Sequence, residues 1–427
     1  MTDVAQSGDQ KDARRALANG YLRAKAQKWL SVLVAIWMVS GGFVIIEPSP
    51  HELMVFLVFL AAMLAGVGIH RGTLNLFNLL LVFIPFALIG GFQVKYNDPS
   101  RGFLFVTITM FLWFAGYVAA NYVADAPRKH LKLMMNAYTV AAVIVAAIGI
   151  LAYLKLIPGH ELFLRYGRAK ATFKDPNVYG PFLILPAMYA LQRVLLGTRR
   201  RAWLAGGVFL VLMLGIFVSF SRGAWGHLFG SSVLVFALIY LLEAKAAERL
   251  RMTGIGVAGA VVVVVALLGM LSIPSVSQLF ETRANLVQNY DSGSTGRFAR
   301  QGYAFGLALE HPLGLGPLEF AHLRVNEEPH DTYVTVLLSY GWGGGLAYWA
   351  LIAMTLWRGY STVLRPSAHR LLLIPLVATY LPLVIESAII DTDHWRHFFL
   401  ITGLIWGVTA AYGKPVGGRN GRQDALI

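Results

Sequence analysis

Cysteine is absent from the chain, which excludes disulfides, thiolate nucleophiles and cysteine-ligated metal centres. Charge is scarce too: 14% of residues are charged against 57% hydrophobic, and mean hydropathy is +0.60, which excludes an ordinary water-soluble domain. Acidic residues are the scarcer sign, 22 against 36 basic, for a net charge of +14. That excess does not point to nucleic acid, because most of it is spread over connections that face an anionic leaflet. The sequence also lacks phosphate-cradling glycine loops, metal-ligand spacings and the internal repeat seen in many transporters. No metal site and no cofactor are expected.

What is present is a series of long apolar runs: 29–47, 52–70, 73–92, 103–123, 133–155, 178–196, 202–220, 224–243, 254–273, 331–356, 371–390 and 395–412. Each is near the ~20 residues that cross a ~30 Å hydrocarbon core. The expected fold is an all-α polytopic membrane protein of about 12 transmembrane helices with one large periplasmic loop. Residues 1–28 are expected to form a basic cytoplasmic tail and 29–412 the transmembrane domain. The loop 273–330 is inserted between helices 9 and 10, and 413–427 form a cytoplasmic tail. The polar stretch before the first run predicts that this run is its own insertion signal, with no cleavable leader.

Orientation follows from lysine and arginine. The segments Arg128-Lys129, Lys132, Arg199-Arg200-Arg201 and Lys245 to Arg251 lie on short connections, and the positive-inside rule puts these in the cytoplasm with both termini. The opposite face then carries basic residues that need another reason: Lys155, Arg165, Arg168, Lys170 and Lys174 on one loop, Arg222 on a tight turn, and Arg283, Arg297, Arg300 and Arg324 on the long loop. The acidic residues Glu327, Glu328 and Asp331 gather around His330 at the far end of that loop. A ligand with a strongly anionic part and a neutral, hydroxyl-rich part matches this division.

Arg222, in Ser219-Phe220-Ser221-Arg222-Gly223, lies too close to hydrocarbon to be affordable unless it faces a polar cavity or snorkels to headgroups; the flanking small residues favour the cavity. Ser294-Thr295-Gly296 is a helix start signal, which puts Arg297 and Arg300 on one face near a helix N-terminus. Paired guanidinium groups there make a phosphate clamp, while the ordinary alternative is an amphipathic helix lying on acidic headgroups. Asp175-Pro176-Asn177 marks the entry to the sixth run, with Asn177 a capping candidate; Lys170 and Lys174 remain as extra outer charge. His330 can serve as a general base if one ring nitrogen is oriented by neighbouring Glu327, Glu328 or Asp331.

Taken in order, Ser221-Arg222-Gly223, Gly296-Arg297, Pro312-Leu313-Gly314-Leu315-Gly316 and Pro329-His330-Asp331 resemble the O-antigen ligase-related superfamily. It comprises O-antigen ligases, O-antigen and exopolysaccharide polymerases and protein O-oligosaccharyltransferases. The motifs span roughly 165 to 350; the family often has asparagine after the loop histidine, where this chain has Asp331. The resemblance implies a metal-independent glycosyltransferase of GT-C type in the bacterial inner membrane. Its donor is an undecaprenyl-diphosphate-linked glycan and its acceptor a lipid A-core sugar or another glycan, with membrane lipids around it and no nucleic acid partner. It also implies that Arg222 and Arg297 bind the diphosphate and that His330 engages the acceptor. Arg300, Lys170, Lys174, Glu328 and Asp331 are candidate substrate-binding residues beside them.

A different class is a transporter or flippase for a polyprenyl-linked glycan or another anion. Glu386, Asp391, Asp393, His394 and Arg396 suit an ion site near the ends of the last two runs. The ordinary alternative is that these residues close the outer vestibule by pairing with Arg396 or the long loop.

Overall fold

The computed structural model describes residues 2–46, 49–284, 293, 296–323 and 327–411. Ser294, Thr295, Arg324, the side chain of Arg283 and the tail from 413 onward lie outside the described residues. The protein is mostly helical. In chain order the helices are α1 Thr2–Ser40, α2 Pro50–Leu64, α3 Leu74–Phe92, α4 Pro99–Asp125, α5 Pro127–Tyr153, α6 Pro176–Phe182, α7 Ile184–Leu196 and α8 Arg199–Val218. They continue with α9 Arg222–Leu242, α10 Ala246–Leu271, α11 Pro274–Ala284, α12 Arg297–Glu310, α13 Thr332–Val363, α14 Arg370–Glu386 and α15 Arg396–Ala410.

Each of the twelve apolar runs falls on one of these helices or, for 178–196, on the successive pair α6 and α7. Among the described residues, eight helices are long and apolar enough to cross a membrane. The first departs from expectation at its start: α1 is helical from Thr2, so the stretch expected as a tail runs without a break into the first apolar run.

The interruption between α6 and α7 has a local cause. Pro186 has no N–H to give the carbonyl of Phe182, and the Tyr138 hydroxyl takes that carbonyl instead at 2.7 Å. The bundle is built from close pairs: α4 with α15, α3 with α13, α7 with α8, α9 with α14, and α1 with α2. At the α4–α15 contact a Cβ on Gly403 would stand 2.1 Å from the Gly116 carbonyl oxygen, so only glycine permits this approach.

α13 is broken at Gly341 (φ 68, ψ −177). The break frees the Leu338 carbonyl and the Trp342 N–H, and the Pro312 to Gly316 run takes both. Leu315 N–H donates to Leu338 O at 2.7 Å, and Trp342 N–H donates to Pro312 O at 2.9 Å. Nearby, the buried carboxylate of Glu319 accepts from the N–H groups of Lys95, Tyr96 and Asn97 at 2.9–3.2 Å. The second half of the long connection is therefore fixed to α13 and to the α3–α4 turn.

Candidate functional site

The site is organised by the connection from Ser387 to Trp395, between α14 and α15. Thr332, first residue of α13, locks onto it: its N–H donates to Ser387 O, its hydroxyl to Ile390 O, and its Oγ1 accepts from the Thr392 N–H, at 2.8–2.9 Å. This brings the end of the long connection against the 387–395 turn. Gln301 of α12 bridges the two, donating to the carbonyls of His330 and Ala388.

His330 sits in left-handed backbone, φ 57, an uncommon state for a non-glycine residue. Its Nδ1 lies 3.0 Å from Asp391 Oδ2, and Asp391 Oδ1 accepts from the Thr335 hydroxyl at 2.9 Å. A carboxylate only accepts, so the tautomer that makes this contact has its hydrogen on Nδ1 and leaves the Nε2 lone pair open. The orienting acid is thus 61 residues away, not one of the local acids that the sequence offered. Those have other work. Glu327 pairs with Arg300, and Asp331 is the N-cap of α13, accepting from Tyr333 N and Val334 N.

The arginines occupy different positions. Arg297 opens α12, with Gly296 as its N-cap, and donates to Ile389 O at 3.2 Å. Arg300 falls on the buried stripe with Ala304 and Ala308; it is 2% exposed and ion-paired with Glu327. It is turned into the fold, so Arg297 and Arg300, expected side by side on one helical face, are held by different partners. Arg222 opens α9, after Phe220 in left-handed backbone (φ 47) and Ser221 as N-cap. Its neighbour Gly223 lies against the Glu386 carboxylate, where a Cβ would be 2.5 Å from Oε1. The start of α9 and the Arg297 side chain therefore both lie against residues 386–389.

The 155–175 loop joins the same end. Arg168, buried, donates to Ser219 O and to Asn177 Oδ1, each at 2.7 Å, which ties this loop to the turn before Arg222. The cap of α6 is Asp175, accepting from Asn177 N, while Asn177 serves Arg168 instead of capping. Lys170 is half-buried, and its amine is lowered by burial and by Arg165. Lys174 reaches a cavity of about 260 Å³ that also meets Leu318, Glu328, Thr335, Asp391, Asp393 and His394. Burial, with Asp391 beside it, raises Glu328 to about 7, and burial with the same neighbour pushes Asp393 up to about 8.

The charged residues that suited an ion site divide among separate partners. Glu386 meets His227 at 2.8 Å, Asp391 holds His330, His394 meets Thr109 at 2.8 Å, and Arg396 pairs with Glu52. Asp391 thereby meets the end of the long connection.

Residues 206–349, about a third of the chain, match the family model described as O-antigen ligase. No curated protein matches the chain. The matched segment contains Arg222, Arg297, the Pro312 to Gly316 run and His330, the residues whose order carries the resemblance, and it supports the likeness to the O-antigen ligase-related superfamily.

Proposed function

We propose that the protein transfers a glycan from a polyprenyl (undecaprenyl) diphosphate carrier to an acceptor hydroxyl. It acts as an O-antigen ligase on a lipid A-core acceptor or as an O-antigen or exopolysaccharide polymerase on a glycan acceptor. The observation that carries this reading is the pairing of His330 with Asp391 on the same turn that receives Arg297. It is supported by the O-antigen ligase match over these residues and by helices apolar enough to span a bilayer. The GT-C assignment rests on family resemblance.

In the proposed step, His330 Nε2 takes the acceptor O–H proton as that oxygen bonds to the anomeric carbon. The bond from this carbon to the diphosphate oxygen breaks, and the leaving polyprenyl diphosphate keeps the electron pair. Arg222 and Arg297 stabilise the charge on it, bidentate donors suited to phosphate oxygens. Asp391 holds the ring in the useful tautomer. Arg300 and Asp331 act through structure, fixing the segment that carries His330; Lys170, Lys174 and Glu328 serve substrate binding. Fixed cations supply the electrostatic stabilisation, so no metal or other cofactor takes part in the proposed step.

The positive-inside pattern assigns this end of the bundle to the periplasm and both termini to the cytoplasm, in a bacterial inner membrane. The test is reconstitution in nanodiscs, in EDTA, with a polyprenyl-diphosphate glycan and each acceptor class in turn. Formation of one glycosylated acceptor with release of polyprenyl diphosphate is expected. Absence of transfer to every class, or transfer that needs added magnesium, overturns the reading as stated.

A further inference from the structure

The cavity beside His330 is lined by carboxyl groups where the other side of the site presents arginines. Its titratable walls are Lys174, Glu328, Asp391, Asp393 and His394, so carboxyl groups outnumber the cations. Phe105, Phe173 and Trp395 add ring faces, and Thr335 and Ser339 add hydroxyls. Asp393 is 2% exposed, and its Oδ2 has no hydrogen-bond partner among the described residues. A buried carboxyl oxygen in that state calls for a donor from outside the protein. At about 260 Å³ the space lies just below the ~300–1,000 Å³ of drug-sized pockets, and it suits a single ring.

The chemistry of these walls selects a ligand class. Carboxyl oxygens accept from hydroxyls, aromatic faces cover an apolar C–H surface, and the two together fit a sugar ring. A phosphate or carboxylate substituent would be repelled by any ionised wall carboxylate and would have to force the others to stay protonated. Asp391 is shared: one side of it holds His330, and it also lines the cavity. The ring in the cavity is therefore the one whose hydroxyl reaches His330.

We infer that this cavity is the acceptor's sugar subsite, built for an uncharged, hydroxyl-bearing ring, and that Asp393 is a specificity-determining residue that accepts from a hydroxyl of that ring. The inference rests on the glycosyl-transfer reading and narrows it: a ring phosphorylated at this position is a poor acceptor.

Two measurements on the full chain in nanodiscs test it. Saturation-transfer NMR compares methyl α-glucoside with its 6-phosphate. The neutral probe is expected to bind, the phosphate at least about tenfold more weakly, and Asp393→Ala to abolish the difference by losing the neutral probe. In the transfer assay, a neutral oligosaccharide acceptor is compared with the same one phosphorylated on a non-reacting hydroxyl. Asp393→Ala should raise the acceptor KM tenfold or more and leave donor KM unchanged, and Glu328→Gln should bring the two acceptors closer together. Equal use of both acceptors by the unaltered protein, or an unchanged acceptor KM in Asp393→Ala, overturns the subsite while leaving glycosyl transfer intact. Selective probe binding without any turnover overturns the transfer reading and leaves a neutral-sugar site; neither binding nor turnover overturns both.

Discussion

Four non-glycine residues in left-handed backbone, Ala171, Phe220, Leu318 and His330, border residues that the proposed site uses. Ala171 separates Lys170 from Lys174, Phe220 leads into Arg222, and Leu318 lines the cavity. Each such conformation costs roughly 1–3 kcal/mol, held in place by surrounding contacts. For His330 those contacts are Gln301 on its carbonyl and Asp391 on its ring. Asp391→Asn leaves a side chain of the same shape but permits the other ring tautomer. Transfer should fall about 10²-fold, with donor affinity unchanged, in a reconstituted assay; a loss confined to donor affinity would remove Asp391 from this role. Glu328 gives a pH prediction. Its folded value of about 7 lies above the ordinary 4.5, so the folded state binds its proton more tightly. The resulting stability is full below about 4.5 and is lost as pH rises through about 7. The thermal midpoint should therefore fall between pH 5 and 8, and Glu328→Gln should flatten part of that fall; an unchanged slope would contradict it.

At the scale of elements, the long connection owes its position to backbone hydrogen bonds that no hydropathy pattern announces. The Gly341 break in α13 supplies a free carbonyl and N–H, and the Pro312 to Gly316 run uses them. A Cβ at Gly341 would stand 2.5 Å from Pro312 O, in backbone that disfavours any side chain. Gly341→Ala is expected to lower stability by at least ~1–3 kcal/mol and to expose the 310–323 segment to protease. Cleavage and melting like those of the unaltered protein would show that the contact does not fix the loop. The helices themselves were legible, because twenty-residue apolar runs announce themselves without tertiary information. The divided roles of Arg297 and Arg300 were not. Helical spacing put them on one face, but the small residues Ala304 and Ala308 extend Arg300's stripe inward toward α13, and Glu327 receives its charge. Asp391 was visible as a polar residue between two apolar runs, yet its pairing with His330 depends on how α13 and the 387–395 turn pack, which leaves no trace in local sequence. The cap of α6 is expected too late in the chain, at Asn177, whereas Asp175, directly before Pro176, takes it.

The whole molecule gathers its functional candidates at one end: Arg168, Lys174, Arg222, Arg297 and His330 all enter there, through the 155–175 loop, the turn before α9 and the long connection. The proposed orientation puts that end in the periplasm. Because the chain contains no cysteine, single cysteines can report sidedness without background. Cysteines at Tyr166 and His311 should react with an impermeant maleimide on intact spheroplasts, and cysteines at Lys129 and Lys245 only after the membrane is opened; the reverse pattern would invert the topology. The central claim is that His330 removes the acceptor proton while Arg222 and Arg297 hold the diphosphate. It is tested most directly by single-turnover transfer, with donor affinity measured separately, in His330→Ala and in Arg297→Ala in nanodiscs. The expected result is a loss of about 10²-fold or more in rate for His330→Ala at unchanged donor affinity, and loss of both rate and affinity for Arg297→Ala. Near-normal transfer by folded His330→Ala would contradict it.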